Sequence, residues 1–201
     1  MSVVYWLGDK LYLNITNRCS NRCYFCIRNF TDWLGGFNLK LRREPSVSEV
    51  IRALEDRINR RYWSEIVFCG FGEPTMRLDC LLEVARWIRR YFRIPIRLNT
   101  NGHGYIINEG RDVVRELKEA GVSRVSVSLN AHDEETYNRI CKPIFKDAYK
   151  GVINFIKMAK DCLETEVTAV ELPEVDIDRI SRLAFKLGVH FRSRHYYVPF
   201  L

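Results

Sequence analysis

Arg124-Val-Ser-Val-Ser-Leu-Asn130 is the stretch whose pattern decides the fold. Side chains of a strand alternate between the two faces of its sheet. Val125, Val127 and Leu129 therefore share one face, and Ser126, Ser128 and Asn130 share the other. A parallel strand covered by helices on both faces reads as a continuous apolar run, and this one does not. A strand over 96–99 repeats the split by aligning Arg97, Asn99 and Asn101, and one over 189–194 does so with His190, Arg192 and Arg194. One face packs under helices; the other holds polar groups, as the concave side of a curved sheet does.

Outward from this strand, strands and helices alternate. Leu11, Leu13 and Ile15 oppose Tyr12, Asn14 and Thr16 in a strand over 11–16. A helix over 47–60 opens with Ser46 and Glu49, the spacing of a capping box. Strands follow over 65–69, 96–99, 124–129, 164–170 and 189–194. Between them the spacing predicts a helix from a cap at Asp79 to residue 92, one over 111–120 closed by Gly121, helical pattern over 133–140 and 145–161, and a helix over 176–187 ended by Gly188. Six such units imply parallel strands, yet are too few to close the eight-fold barrel of about 250 residues. The expected fold class is α/β: a partial (β/α)6 TIM-like barrel of parallel strands, open at one side, with residues 1–201 as one domain.

Of the 201 residues, 47% are hydrophobic and 28% charged, which excludes disordered and low-complexity classes. No apolar run approaches the ~20 residues of a membrane-spanning helix, so no membrane partner is expected. Residues 1–9 lack the basic start, apolar stretch and cleavage site of a secretion signal, so a cytoplasmic location is expected. The net charge is +7, and 23 of the 32 basic residues are Arg. That suits a basic solvated surface and leaves RNA open as a partner without favouring it, because no recognition-helix or zinc-finger pattern accompanies the charge.

Cys19-Ser-Asn-Arg-Cys23-Tyr-Phe-Cys26 begins three residues after the first strand, at the end where parallel α/β folds place their sites. Thiolates ligate iron–sulfur clusters and zinc. A [4Fe–4S] cluster normally takes four Cys; three leave one iron for something else. Zinc would need a fourth ligand, and Cys69, Cys80, Cys141 and Cys162 are scattered. Gly70-Phe-Gly-Glu-Pro74 and Thr100-Asn-Gly102 each read alone as turns. Gly70 and Gly72 would let backbone amides approach a ligand, and Glu73 would accept from an ammonium group. Cys69 reads as a small buried residue; Cys80, Cys141 and Cys162 read as inert thiols. His103 and His132 read as loop residues before catalysts. Arg192 and Arg194 are either exposed at an open edge or binders of an anion. The segment 27–45 is long, holds Trp33, Gly35-Gly36 and Phe37, and is expected to shield a cluster or substrate. The aromatic tail 195–201 is expected to pack under the barrel or over its opening.

The C-x3-C-x2-C motif, with Phe25 just before its last Cys, resembles the signature of the radical S-adenosylmethionine (SAM) enzymes. Gly70-Phe-Gly-Glu-Pro74 is similar to that superfamily's GGE stretch. Thr100-Asn-Gly102 and Val127-Ser-Leu-Asn130 are similar to positions that contact SAM. The stretch 14–36 looks closest to radical SAM proteins associated with TatD-type nucleases. The resemblance implies two cofactors, a [4Fe–4S] cluster and S-adenosyl-L-methionine. Cys19, Cys23 and Cys26 would hold three irons, and the amino and carboxylate groups of SAM would chelate the fourth. Gly70, Gly72 and Glu73 would place the methionine end. Thr100, Asn101, Ser128 and Asn130 would meet the carboxylate or ribose, and the backbone near Phe25 would pack on adenine. The implied reaction is reductive cleavage of SAM to a 5′-deoxyadenosyl radical, which abstracts hydrogen from an unidentified substrate. That substrate would be a small molecule or partner-presented, and an external donor would supply the electron. A glycyl-radical activase or an RNA-modifying enzyme is an alternative within the resemblance. A non-catalytic iron–sulfur protein for electron transfer or redox sensing is the alternative outside it.

Overall fold

The computed structural model describes residues 1–196. Nine strands and seven helices follow the chain among these residues: β1 (Val4–Leu7), β2 (Lys10–Leu13), β3 (Trp33–Leu34), β4 (Phe37–Asn38), α1 (Val47–Ile58), β5 (Glu65–Phe68), α2 (Leu78–Tyr91), β6 (Ile96–Thr100), α3 (Gly104–Ile107), α4 (Val113–Glu119), β7 (Arg124–Ser128), α5 (Glu134–Cys141), α6 (Ala148–Lys160), β8 (Glu164–Val170), α7 (Ile177–Leu187) and β9 (His190–Arg194). Short 3₁₀ turns cover Ile27–Asn29 and Pro74–Arg77. Seven strands form one sheet in the order β1-β2-β5-β6-β7-β8-β9, while β3 and β4 pair separately as a hairpin. All neighbours from β2 to β9 are parallel; β1 is antiparallel to β2. The sheet does not close, and its six parallel strands are those of the expected partial (β/α)6 barrel.

The register keeps the two faces apart. Leu13 pairs with Phe68, Phe68 with Leu98, Leu98 with Val125, and Val127 with Val167, a fully buried apolar layer under the helices. The other face carries Arg97, Ser126, Glu166 and Arg192. Glu65 there bridges Lys10 at 2.6 Å and Arg97 at 3.1 Å, and Glu166 accepts from Ser126 Oγ and from both Nε and Nη2 of Arg192, all at 2.9 Å. Charged side chains tolerate this concave layer because they are paired within it.

Local chemistry sets most boundaries. Ser46 Oγ accepts from Glu49 N while Glu49 accepts from Ser46 N, the complete capping box. Asp112, Asp133 and Asp176 cap α4, α5 and α7 through their carboxylates. Gly188 ends α7 at φ +74°, a conformation cheap only for glycine. Asp79 was expected to cap the second helix and does not: the helix starts one turn residue earlier, after Arg77, and Asp79 within its first turn pairs with Arg111 at 2.7 Å. The antiparallel strand β1 was also not anticipated.

Candidate active site

The site lies at the C-terminal ends of β2, β5, β6, β7 and β9. The loop after β2 carries Cys19, Cys23 and Cys26, all free thiols and all half-buried. It is pinned from several sides. The Arg28 guanidinium donates to the carbonyls of Asn17 (3.0 Å), Asn21 (3.1 Å) and Phe71 (3.4 Å). Asn29 Nδ2 donates to the carbonyls of Cys23 and Tyr24, and the amides of Arg22 and Tyr24 reach Cys141 O and Ile140 O at the end of α5.

All eleven residues singled out from the sequence line one cleft of about 370 Å³: Cys19, Cys23, Phe25, Cys26, Gly70, Gly72, Glu73, Thr100, Asn101, Ser128 and Asn130. Residues from four strand ends more than a hundred positions apart therefore converge. Burial pushes the Cys19 thiol up to about 11 and raises Cys26 as well. Contact with the Cys141 thiol, followed by burial, raises Cys23. Asn21 N and Asn101 Nδ2 point at Cys19 Sγ from 3.4 and 3.7 Å. Phe25 packs edge-on against Tyr24.

The two glycines and Glu73 also brace the loops of the cleft against one another. A Cβ on Gly70 would fall 2.0 Å from Asn14 Oδ1, and one on Gly72 would fall 2.5 Å from the carbonyls of Thr16 and Arg18. The close approach is therefore between this loop and the cysteine loop. Glu73 is 3% exposed rather than standing free at a strand tip. Its Oε1 accepts from Thr75 N (3.1 Å), Thr75 Oγ1 (2.7 Å) and Thr100 Oγ1 (2.8 Å), and Oε2 accepts from Asn101 N (2.7 Å). Burial pushes its carboxyl up against the pull of those bonds. Glu73 ties the loop after β5 to the turn after β6.

A buried polar chain joins that turn to the cysteine loop. Asn101 Nδ2 donates to Ser20 Oγ (2.8 Å), which lies 2.8 Å from His103 Nδ1; His103 Nε2 lies 3.0 Å from the Tyr137 hydroxyl, which accepts from Asn21 Nδ2 at 2.9 Å. His103 has no exposed surface, and burial lowers it to about 4, so it is neutral. Sequence reasoning treated His103 as a loop residue and missed Ser20, Asn21 and Tyr137 altogether.

The remaining expectations sort by position. Cys69 is half-buried and lines the cleft instead of the core. Cys80 and Cys141 are buried and Cys162 is exposed. His132 accepts from Asp176 N and pairs with Asp133, away from the cleft. Of the segment 27–45, only Ile27 lines the cleft among the described residues. Phe37 packs against Tyr5 and Trp6 of β1, Leu39 lies in a small core with Tyr5 and Phe71, and Leu41 and Glu44 bond to Asn17 and Arg18 ahead of the cysteines. The segment buttresses the cysteine loop from behind instead of shielding the cleft. Most of the aromatic tail, 197–201, lies outside the described residues.

A family model described as "Radical SAM superfamily" matches residues 13–187. The chain belongs to the radical SAM superfamily. Radical SAM enzymes use a [4Fe–4S] cluster and S-adenosylmethionine. The GTP 3′,8-cyclase of Paenarthrobacter nicotinovorans is 31% identical over 141 residues, 70% of this chain and 37% of the relative. The probable GTP 3′,8-cyclase of Thermoplasma volcanium is 29% identical over 176 residues, 87% of this chain and 48% of the relative. The chain thus spans less than half the length of these curated relatives. Among solved structures, Streptococcus suis SuiB superimposes with a TM-score of 0.68 at 16% identity, covering 94% of this chain and 40% of that one. That likeness shows the shared fold. No helix of the described residues is long and apolar enough to cross a membrane.

Proposed function

We propose that the cleft binds a [4Fe–4S] cluster on Cys19, Cys23 and Cys26 with S-adenosylmethionine beside it, and that the chain acts on a substrate bound over both. The observation that supports this most is the convergence of all eleven expected residues on one cleft. The donor set fits a cluster. The three cysteines carry no disulfide and share one loop, and among the described residues no three His, Cys, Asp or Glu side chains are arranged for a single metal ion. A cluster takes each thiolate on a separate iron and needs no such grouping. When bound, the reduced cluster and S-adenosylmethionine supply a 5′-deoxyadenosyl radical able to abstract hydrogen.

This chain's residues do the positioning. Asn21 N and Asn101 Nδ2 face Cys19 Sγ and would hydrogen-bond its thiolate, a contact that tunes cluster potential. Glu73, with its oxygens already bonded, holds the Gly70–Gly72 backbone and the Thr100–Asn101 turn in register; the backbone of both would contact the methionine end. Ser128 and Asn130 would meet the carboxylate or ribose from β7, and Phe25 would border the adenine. Asn130 stands at φ +58°, a left-handed conformation Asn tolerates better than most residues.

The electron comes from an external donor. The substrate is open, and the resemblance of 14–36 to TatD-associated radical SAM proteins carries no substrate with it. GTP is the first candidate to try, because it appears in the names of the relatives. The test is anaerobic reconstitution followed by iron and sulfide analysis and electron paramagnetic resonance with and without SAM. About four irons per chain and a spectrum altered by SAM support the reading. A full cluster whose spectrum ignores SAM would overturn it.

A further inference from the structure

The concave face holds three arginines near the cleft, and their partners differ. Arg97 pairs with Glu65 at 3.1 Å, and Arg192 makes a two-pronged contact with Glu166 at 2.9 Å. Arg194 lines the cleft itself and, among the described residues, its hydrogen bonds go to neutral oxygens, Ser128 Oγ at 3.4 Å and Asn130 Oδ1 at 3.3 Å. Its Nε is buried and, like that of Arg97, has no hydrogen-bond partner among the described residues. Among the described residues Glu73 is the one carboxylate lining the cleft, and both its oxygens are taken by Thr75, Thr100 and Asn101. A guanidinium taken out of water without an anion is unfavourable, and its planar fork matches carboxylates and phosphates with two parallel bonds.

We infer that Arg194, steadied by Ser128 and Asn130, is the receptor for an oxyanion carried by the substrate, a carboxylate or a phosphate. The inference rests on the function proposed above. There Ser128 and Asn130 also meet the carboxylate or ribose of SAM, and titration of SAM separates the cofactor's anion from the substrate's. Arg194 is then a specificity-determining residue at the end of the last strand, opposite the cysteine loop. Burial lowers the affinity of its guanidinium for its proton, in keeping with a charge that lacks its partner.

The test uses the reconstituted protein and two probes, inorganic pyrophosphate and malonate, titrated calorimetrically beside S-adenosylmethionine. Wild type should bind at least one probe. Arg194→Gln should weaken that binding at least ten-fold, and Arg194→Lys, which keeps the charge and loses the fork, should fall between. Arg192→Gln removes the same charge from the same strand and should stay within two-fold of wild type. Thermal melts of each variant confirm folding. Failure of wild type to bind either probe, or equal losses in Arg192→Gln and Arg194→Gln, would overturn the assignment. So would an Arg194→Gln loss confined to S-adenosylmethionine, which would make the anion that of the cofactor. Repeating the probe titrations on cluster-free protein separates this inference from the function it rests on. Absence of a cluster or of SAM binding contradicts the latter and leaves the probe result readable.

Discussion

His103 connects through hydrogen bonds to residues 83 and 34 positions away, Ser20 and Tyr137. No local pattern in the sequence announces partners at such distances, which is why the residue read as part of a turn. Its burial carries a consequence for stability. The folded protein holds it at about 4, against an ordinary 6.5. Between those values the unfolded chain binds a proton that the folded one refuses, so stability is full above pH 6.5 and falls as the pH drops toward 4. Thermal melts from pH 7.5 to 4.5 should show that decline, and His103→Gln should flatten it; equal slopes in the two proteins would contradict the linkage. Gly72 offers a second residue-level test. A Cβ there meets two backbone carbonyls at 2.5 Å, and backbone cannot yield as a side-chain tip can. Gly72→Ala should destabilise the protein by about 1–3 kcal/mol and lower iron incorporation, measured by chemical denaturation and iron analysis. That glycine was legible as special from its neighbours, but the partner it accommodates was not, because the contact is tertiary.

Elements were legible where their ends carry chemistry. β8 matches the sequence expectation residue for residue, and α7 ends where expected at Gly188 but begins one residue later, with Asp176 as its cap. Ser46→Ala, which removes one half of a complete capping box, should cost about 1 kcal/mol in urea denaturation without changing iron content. The β1–β2 hairpin went unread although Gly8-Asp9 between two β-rich runs is a hairpin signal. The β3–β4 hairpin likewise turns on Gly35 and Gly36 at φ +56° and +84°. Strands of four and two residues are too short to display alternation, so neither hairpin stands out from its neighbours. Their position explains the role of the segment 27–45: it leans on β1, and Arg28 at its start clamps three carbonyls around the cysteine loop. Arg28→Ala should keep the fold by circular dichroism yet reduce retained iron at least two-fold after gel filtration. Unchanged iron would show that the clamp is dispensable.

The whole molecule works through a division between two faces. Apolar residues at alternate positions pack under the helices, and the intervening polar residues build a concave layer in which Lys10, Glu65, Arg97, Glu166 and Arg192 are paired while Arg194 at the cleft meets neutral oxygens. This division was readable because parallel strands at 2-residue periodicity expose it directly. The convergence of 19–26, 70–74, 100–102 and 128–130 followed once strand ends were assigned. What could not be read was how the loops brace one another, since Glu73, His103 and Arg28 act through contacts between distant segments. The apolar half of the division predicts that Leu98→Ala, at the centre of the sheet, destabilises the protein by about 2–5 kcal/mol in a denaturant titration. The polar half is tested most directly by chemistry. Anaerobically reconstituted protein is given S-adenosylmethionine and dithionite, and 5′-deoxyadenosine is quantified for wild type and Cys23→Ala. The account predicts 5′-deoxyadenosine from wild type and none above background from Cys23→Ala. A wild-type protein with a complete cluster that yields no 5′-deoxyadenosine would contradict it.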